Sequence, residues 1–154
     1  MPGLYDPNAN ISDWTLGDTR ERVKYLLAVA DFKVAQVKVI DDLTVLTTGD
    51  GKTSLIITDD LDGLRLIDAD AGVVGASSSG LPTIQLRRVR GGSPVDMLST
   101  PITIDVGELD SYNALTQPGI NPANDDVLTG DRIFIDVDVA GTGTDGLEVA
   151  LTFG

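Results

Sequence analysis

The chain has 154 residues, 42% of them hydrophobic, with no cysteine and no histidine. This length is typical of one domain with one core. The missing residue types exclude disulfides, thiolate metal sites, thiol nucleophiles and imidazole bases, and with them most hydrolase mechanisms. The net charge of −13 repels polyphosphate and anionic lipid. We therefore expect no nucleic-acid partner and no membrane partner.

Residues 1–17 are predicted to form an extended arm, because proline, glycine and asparagine interrupt the segment and few apolar residues remain. The apolar residues of this arm include Leu4, Tyr5, Ile11 and Trp14. A disordered tail rarely carries the single tryptophan of a chain. We therefore expect these side chains to pack, either on the domain's own core or on a neighbouring subunit. The arm resembles no export signal, so the product is expected in the cytoplasm.

A short helix is predicted over residues 19–31, since Asp18-Thr-Arg-Glu21 resembles a capping box followed by apolar residues at helical spacing. The first strand should begin near Lys33, where valines start to alternate with polar residues. Thr48-Gly-Asp-Gly51 predicts a tight turn, because Asp-Gly supplies positive φ values. Residues 43–47 and 52–58 are then predicted to be neighbouring strands.

Period-two alternation is clearest in residues 131–139, and it is typical of half-buried antiparallel strands. Four apolar residues are predicted to face the core: Ile133, Ile135, Val137 and Val139. The opposite face should be solvated and carries Arg132, Phe134, Asp136 and Asp138. For Phe134, we favour burial at a subunit interface over exposure to solvent.

The remaining strands are separated by frequent turns rich in glycine, proline and aspartate. We predict them at 64–74, 82–90, 102–106, 131–139 and 147–153, for a total of about eight. Short strands without intervening helices favour an all-β, antiparallel β-sandwich of jelly-roll type, with an N-terminal extended arm and one short helix. The predicted organisation is an arm at 1–17, a helix and first strand at 18–42, and the sandwich at 43–154.

Arg87, Arg88 and Arg90 form the single basic patch of the sequence. Guanidinium groups suit phosphate or an acidic partner. The favoured interpretation is that Ile84 and Leu86 face inward while the arginines pair with the abundant carboxylates, since three arginines cannot offset the acidic excess. An arginine buried at a subunit contact would instead anchor an interface.

Aspartate-rich loops at 59–63 and 124–126 suggest a cation site, although their spacing does not match a calcium-binding loop. Ordinary turn and cap carboxylates are the favoured interpretation. Glu21, Glu108 and Glu148 are the only glutamates, and each has a structural explanation. We expect no enzymatic activity, no cofactor and no metal site.

Several turn and strand motifs together resemble a domain of virion proteins from tailed bacteriophages. They are Leu46-Thr-Thr-Gly-Asp-Gly-Lys52, Leu61-Asp-Gly-Leu64, Gly80-Leu-Pro-Thr-Ile-Gln85, Val95-Asp-Met-Leu-Ser-Thr-Pro-Ile-Thr-Ile-Asp-Val-Gly107, Asn124-Asp-Asp-Val127 and Gly141-Thr-Gly-Thr-Asp-Gly-Leu147. The resemblance covers residues 43–154. It implies a structural or accessory virion component that is made in the host cytoplasm.

Two functions are compatible with this resemblance. The first is a capsid decoration (cement) protein, a homotrimer that binds the major capsid protein, with its arm lying across neighbouring capsomers. The alternative is a tail-fibre or baseplate module that binds host glycan, with Tyr112 or Phe134 stacking on sugar rings. The low aromatic content of 5% argues mildly against the glycan-binding alternative.

Overall fold

The computed structural model describes residues 32–154, and this part of the chain is built almost entirely from strands. The strands are β1 (Lys33–Val45), β2 (Gly49–Ile56), β3 (Leu66–Gly72), β4 (Thr83–Arg90), β5 (Ser93–Asp96), β6 (Leu98–Thr100), β7 (Ile102–Thr103), β8 (Gly119–Ile120), β9 (Arg132–Val139) and β10 (Asp145–Phe153). A single 3-10 turn, Asp59–Leu61, lies between β2 and β3. The predicted arm, with Leu4, Tyr5, Ile11 and Trp14, and the predicted helix lie outside the described residues.

Two antiparallel sheets face each other across one hydrophobic core. One sheet has the order β1-β10-β3, and the other has the order β2-β9-β4-β5, with β7 also pairing with β4. Strands β6 and β8 form a separate small pair. The largest fully buried side chains come from both sheets and the loops: Phe153, Ile57, Leu66, Ile84, Leu86, Met97, Ile102, Ile104, Ile133, Ile135, Leu147 and Leu151. The all-β sandwich is confirmed, and its jelly-roll connectivity stays a prediction.

The alternation in β9 places side chains largely as its sequence indicates. Ile133, Ile135 and Val137 are buried, because they point from the middle of the sheet into the core. Val139 is 42% exposed, so its predicted burial is wrong. The pairing of β9 with β4 shifts at this end, since Thr83 opposes Val139 while Ile84 opposes Val137. Such a bulge turns the last side chain away from the core.

The predicted hairpin around residues 48–51 is not formed, and the chain passes from one sheet to the other between Val45 and Gly49. β1 pairs with β10, whereas β2 pairs with β9 in the other sheet. Gly51 has a φ of +60°, as expected for Asp-Gly, but it lies inside β2, at the irregularity in the β2–β9 pairing between Gly49 and Thr53. The two strands are therefore consecutive in sequence without being hydrogen-bonded to each other.

Strand β1 crosses the predicted domain boundary between residues 42 and 43. It runs without interruption from Lys33 to Val45 and belongs to the sandwich as a whole. The predicted strand over 102–106 is much shorter, since β7 contains only Ile102 and Thr103. The chain then leaves the sheet as residues 104–118, which we call the apolar loop. This loop positions the candidate site described next.

Candidate functional site

The three arginines of β4 do not form a single surface patch, because alternate residues of a strand point to opposite faces. Arg87 lies opposite Phe134, on the outer face of the five-stranded sheet. Arg88 lies opposite buried Ile133 and therefore points to the inner side. Arg90 points to the same side as Arg88, at the end of the strand.

Arg87 is held on the outer face by a bidentate ion pair and an aromatic ring. Its Nε and Nη2 donate to Asp136 Oδ2 and Oδ1 at 2.7 and 2.9 Å. Its guanidinium carbon lies 5.1 Å from the ring centroid of Phe134, within the range of a cation–π contact. The backbone N–H of Gly51 also donates to Asp136. Asp136 is consequently buried, so its predicted exposure to solvent is wrong.

Arg88 and Arg90 bind the segment that precedes β9. Arg88 Nη1 donates to Asp126 Oδ1 at 2.6 Å and also to the Asp126 carbonyl oxygen. Arg90 donates from Nε and Nη2 to Asp131, at 2.9 and 2.7 Å, and from Nη1 to Asp126 at 2.9 Å. Arg88 is only 7% exposed, so its charge is neutralised inside the fold.

The electrostatics of this cluster favour the ionised carboxylates. Hydrogen bonds from Arg88 hold the pKa of Asp126 below its ordinary value, against the opposing effect of burial. Hydrogen bonds from Arg90 do the same for the pKa of Asp131, which also accepts the Leu128 N–H at 2.9 Å. The predicted pairing of the arginines with carboxylates is confirmed. A role in binding external phosphate is disfavoured, because the guanidinium groups are engaged within the chain.

Hydrogen bonds give the apolar loop a defined shape although it contains no regular strand. Leu115 N donates to Asp105 Oδ2 at 2.9 Å, and Gln117 Nε2 donates to the Ala114 carbonyl oxygen at 2.8 Å. The loop is also tied to β3, since Ser111 N donates to the Ala71 carbonyl oxygen at 3.0 Å. A loop bonded both internally and to a sheet presents its remaining side chains in fixed positions.

Four large apolar side chains of this loop are exposed to solvent. They are Val106, Leu109, Tyr112 and Leu115. Leu115 is 94% exposed and Tyr112 is 66% exposed. Contact of these apolar surfaces with water is unfavourable, and nothing in the described part of the chain covers them. The chain between Arg90 and Arg132 contains no lysine or arginine, so the loop is also acidic. Clustered apolar groups within a polar rim are typical of a protein contact surface.

A cleft of about 280 Å³ lies beside the loop, on the outer face of the three-stranded sheet. Its lining includes Gln36, Lys38, Asp70, Gly72, Val74, Asp110, Tyr112, Glu148 and Ala150. Burial raises the pKa of Asp70, and a 3.0 Å hydrogen bond from Ser111 Oγ opposes that rise. The cleft therefore combines an exposed aromatic ring with several polar groups, a combination suited to a small polar ligand.

The carboxylates of the aspartate-rich loops bind other segments of the chain. Thr129 donates from its backbone N–H to Asp62 at 2.8 Å and from its hydroxyl to Asp59 at 3.0 Å. Asp125 pairs with Arg65 at 2.7 Å. Within residues 32–154, no three acidic side chains converge as ligands for a metal ion. These contacts span 60 to 70 positions of the sequence, so the carboxylates bind distant segments and are not the local turn and cap groups that the sequence favoured.

The sequence singled out residues that the fold separates, and it missed the four exposed apolar side chains of the apolar loop. Arg87 and Phe134 lie together on the outer face, whereas Arg88 and Arg90 lie at the inner end of β4. The sequence did not predict that the apolar side chains of the apolar loop are grouped in one exposed segment. Its only signal was the spacing of Leu109, Tyr112 and Leu115 at every third residue, which fits neither a strand nor a buried run.

No protein-family model, no curated protein and no solved structure matches this chain. In the part of the chain that the structure describes, no helix has the length and apolar character needed to span a bilayer. The resemblance to virion proteins of tailed bacteriophages therefore stays a prediction.

Proposed function

We propose that this protein is a structural virion protein that works by adhering to other components of the particle. In its most specific form, the proposal is that the protein is a capsid decoration protein that binds and stabilises the phage head shell. The observation that carries the proposal is the apolar loop, where Tyr112 and Leu115 are held in exposed positions by hydrogen bonds. Pre-ordered groups of this kind bind a partner with little loss of conformational entropy.

The energetics of such a contact are favourable without any catalytic group. Complete burial of one leucine side chain contributes about 1.5–3 kcal/mol. An aromatic residue near the centre of a contact is often a major contributor to affinity. Since Asp105, Glu108 and Asp110 alternate with the apolar residues along the loop, the complementary surface on the major capsid protein would be apolar with basic groups.

The N-terminal arm is the second contact region in this proposal. Ordering seventeen residues costs about 1–2 kcal/mol per residue in backbone entropy. Burial of Leu4, Tyr5, Ile11 and Trp14 against a neighbouring subunit would offset part of that cost. Self-association, for which the resemblance implies a homotrimer, belongs to the same proposal. The virion is the corresponding location, following synthesis in the host cytoplasm.

Replacing Leu115 with aspartate is expected to reduce the occupancy of this protein on particles at least tenfold. The change removes an exposed apolar group and adds charge at the proposed contact, while the fold loses little because the side chain is 94% exposed. Occupancy is measured by quantitative mass spectrometry of purified virions carrying the variant.

The matched control is Ile56→Asp, which introduces the same charge at an exposed position on β2, away from the loop. We expect near-normal occupancy for this variant. Labelled virions imaged by electron microscopy should carry the label over the head. Absence of the protein from purified virions, or full occupancy by the Leu115 variant, would contradict the proposal.

Binding of host glycan by a tail-fibre or baseplate module is the second candidate. The observation that favours it is the cleft, where Tyr112 stands beside Asp70, Asp110 and Gln36. Sugar rings stack on aromatic side chains, and their hydroxyl groups donate to carboxylates. Phe134 is not proposed as a sugar-stacking residue, because its ring is in contact with the guanidinium group of Arg87.

If the glycan candidate holds, the isolated protein binds members of a bacterial glycan array, and Tyr112→Ala lowers that binding at least tenfold. The loss is expected because the aromatic platform disappears while the carboxylates remain. Phe134→Leu is the control and should bind as the unmodified protein does. An array without any bound glycan removes this candidate and leaves the decoration role standing.

A further inference from the structure

Strand β1 has one unpaired edge in the part of the chain that the structure describes. Among residues 32–154 it pairs with β10 alone, on one side. The first six residues, Lys33 to Lys38, pair without a register shift, and an irregularity follows between Lys38 and Ile40. An unpaired edge exposes a row of N–H and C=O groups that can accept another strand.

The other sheet edges are less available. The edge of β3 is covered, because Ala71 and Val73 exchange hydrogen bonds with Ser111 and Leu109 of the apolar loop. Strand β5 is four residues long and contains Pro94, which cannot donate a ladder hydrogen bond. Strand β2 contains two glycines, and its pairing with β9 shifts between Gly49 and Thr53.

Side chains on both faces of β1 are incompletely covered. Ala35 and Val37 point to the core and pack against it, but both stay partly exposed because the sheet ends there. Val34 is on the outer face and is 64% exposed. A further strand beside β1 would cover all three residues and extend the core across the new contact between the two strands, which we call the seam.

The charge pattern of β1 fits a second copy of the same strand. Residues 32–40 carry Lys33 and Lys38 and no acid, in a chain with a net charge of −13. Asp41 and Asp42 follow directly. In an antiparallel self-pairing centred on Gln36, Lys33 lies opposite Val39 and Lys38 lies opposite Val34, so no lysine meets a lysine between the two copies.

We propose that two copies of this chain pair antiparallel through β1, with the two-fold axis passing between their Gln36 residues. Val34 then lies opposite Lys38 of the second copy, and Ala35 lies opposite Val37. Within residues 32–40 no like charges are opposed, and the two three-stranded sheets become one six-stranded sheet. The inference rests on the self-association of the proposed virion protein, and it replaces the homotrimer that the resemblance implies with a two-fold dimer.

Gln36 provides the test, because it is exposed and a residue on a two-fold axis meets its own copy. Sedimentation velocity of the full chain should give twice the mass of one chain. Gln36→Lys and Gln36→Glu each place like charges in contact and should raise the dimer dissociation constant at least tenfold. An equimolar mixture of the two variants should restore the dimer, because lysine then faces glutamate.

Thr152→Lys and Thr152→Glu are the controls, since Thr152 lies on the outer face one strand from the seam. These variants should dimerise as the unmodified chain does. A monomer at every concentration, a trimer, or a mixture that stays dissociated would overturn the two-fold contact. None of these outcomes bears on particle occupancy, so failure of the inference is distinct from failure of the proposed function.

Discussion

Replacing Asp131 with alanine is expected to lower the free energy of unfolding by about 3 kcal/mol. Asp131 is 3% exposed and accepts two hydrogen bonds from Arg90 and one from the Leu128 N–H. Its removal leaves a guanidinium and a backbone donor without this acceptor. We place the value at the low end for a broken buried pair, because Arg90 still reaches water and Asp126. Urea unfolding followed by circular dichroism measures the change.

The matched control is Asp42→Ala, which removes a carboxylate from an exposed ion pair with Lys38. Both side chains of this pair lie in water, where such contacts contribute little to stability. Equal losses for the two variants would show that the arginine cluster does not stabilise the fold. A large loss for Asp131 alone would identify the cluster as the clamp between β4 and the segment before β9.

Gly141→Ala is the second substitution with a large expected effect, a loss of about 3 kcal/mol in the free energy of unfolding. Gly141 has a φ of +73°, which is costly for a residue with a side chain. An added Cβ would also lie 2.9 Å from both Ser77 Cβ and Thr144 Oγ1, and it would meet Ser77 Oγ. These atoms are buried and cannot move aside freely.

Gly143→Ala separates the two causes. Gly143 has nearly the same φ, +72°, but an added Cβ would meet nothing within 4 Å. Only the backbone strain remains, so we expect a loss of about 1–2 kcal/mol. Thermal unfolding monitored by calorimetry compares the two variants. Identical midpoints would mean that the contact with Ser77 carries no cost.

The sandwich and much of its core follow from the sequence itself. Period-two alternation is a local property, so β9 and β10 and their buried residues are predictable without knowledge of their partners. The excess of carboxylates likewise made ion pairs with the arginines of β4 the favoured outcome. Gly51 has the positive φ that its Asp-Gly sequence indicated, because positive φ values restrict the choice of residue.

Only the tertiary structure decided which groups meet. Arg87 pairs with Asp136 across 49 positions and Arg90 with Asp131 across 41, and these contacts depend on the order of strands in the sheet. The same order separated β1 from β2, although a local turn favours a hairpin. Exposure of the apolar loop and of the β1 edge is decided in the same way. Whether an apolar side chain is buried depends on what the rest of the chain places over it, and a local pattern contains no information about that cover.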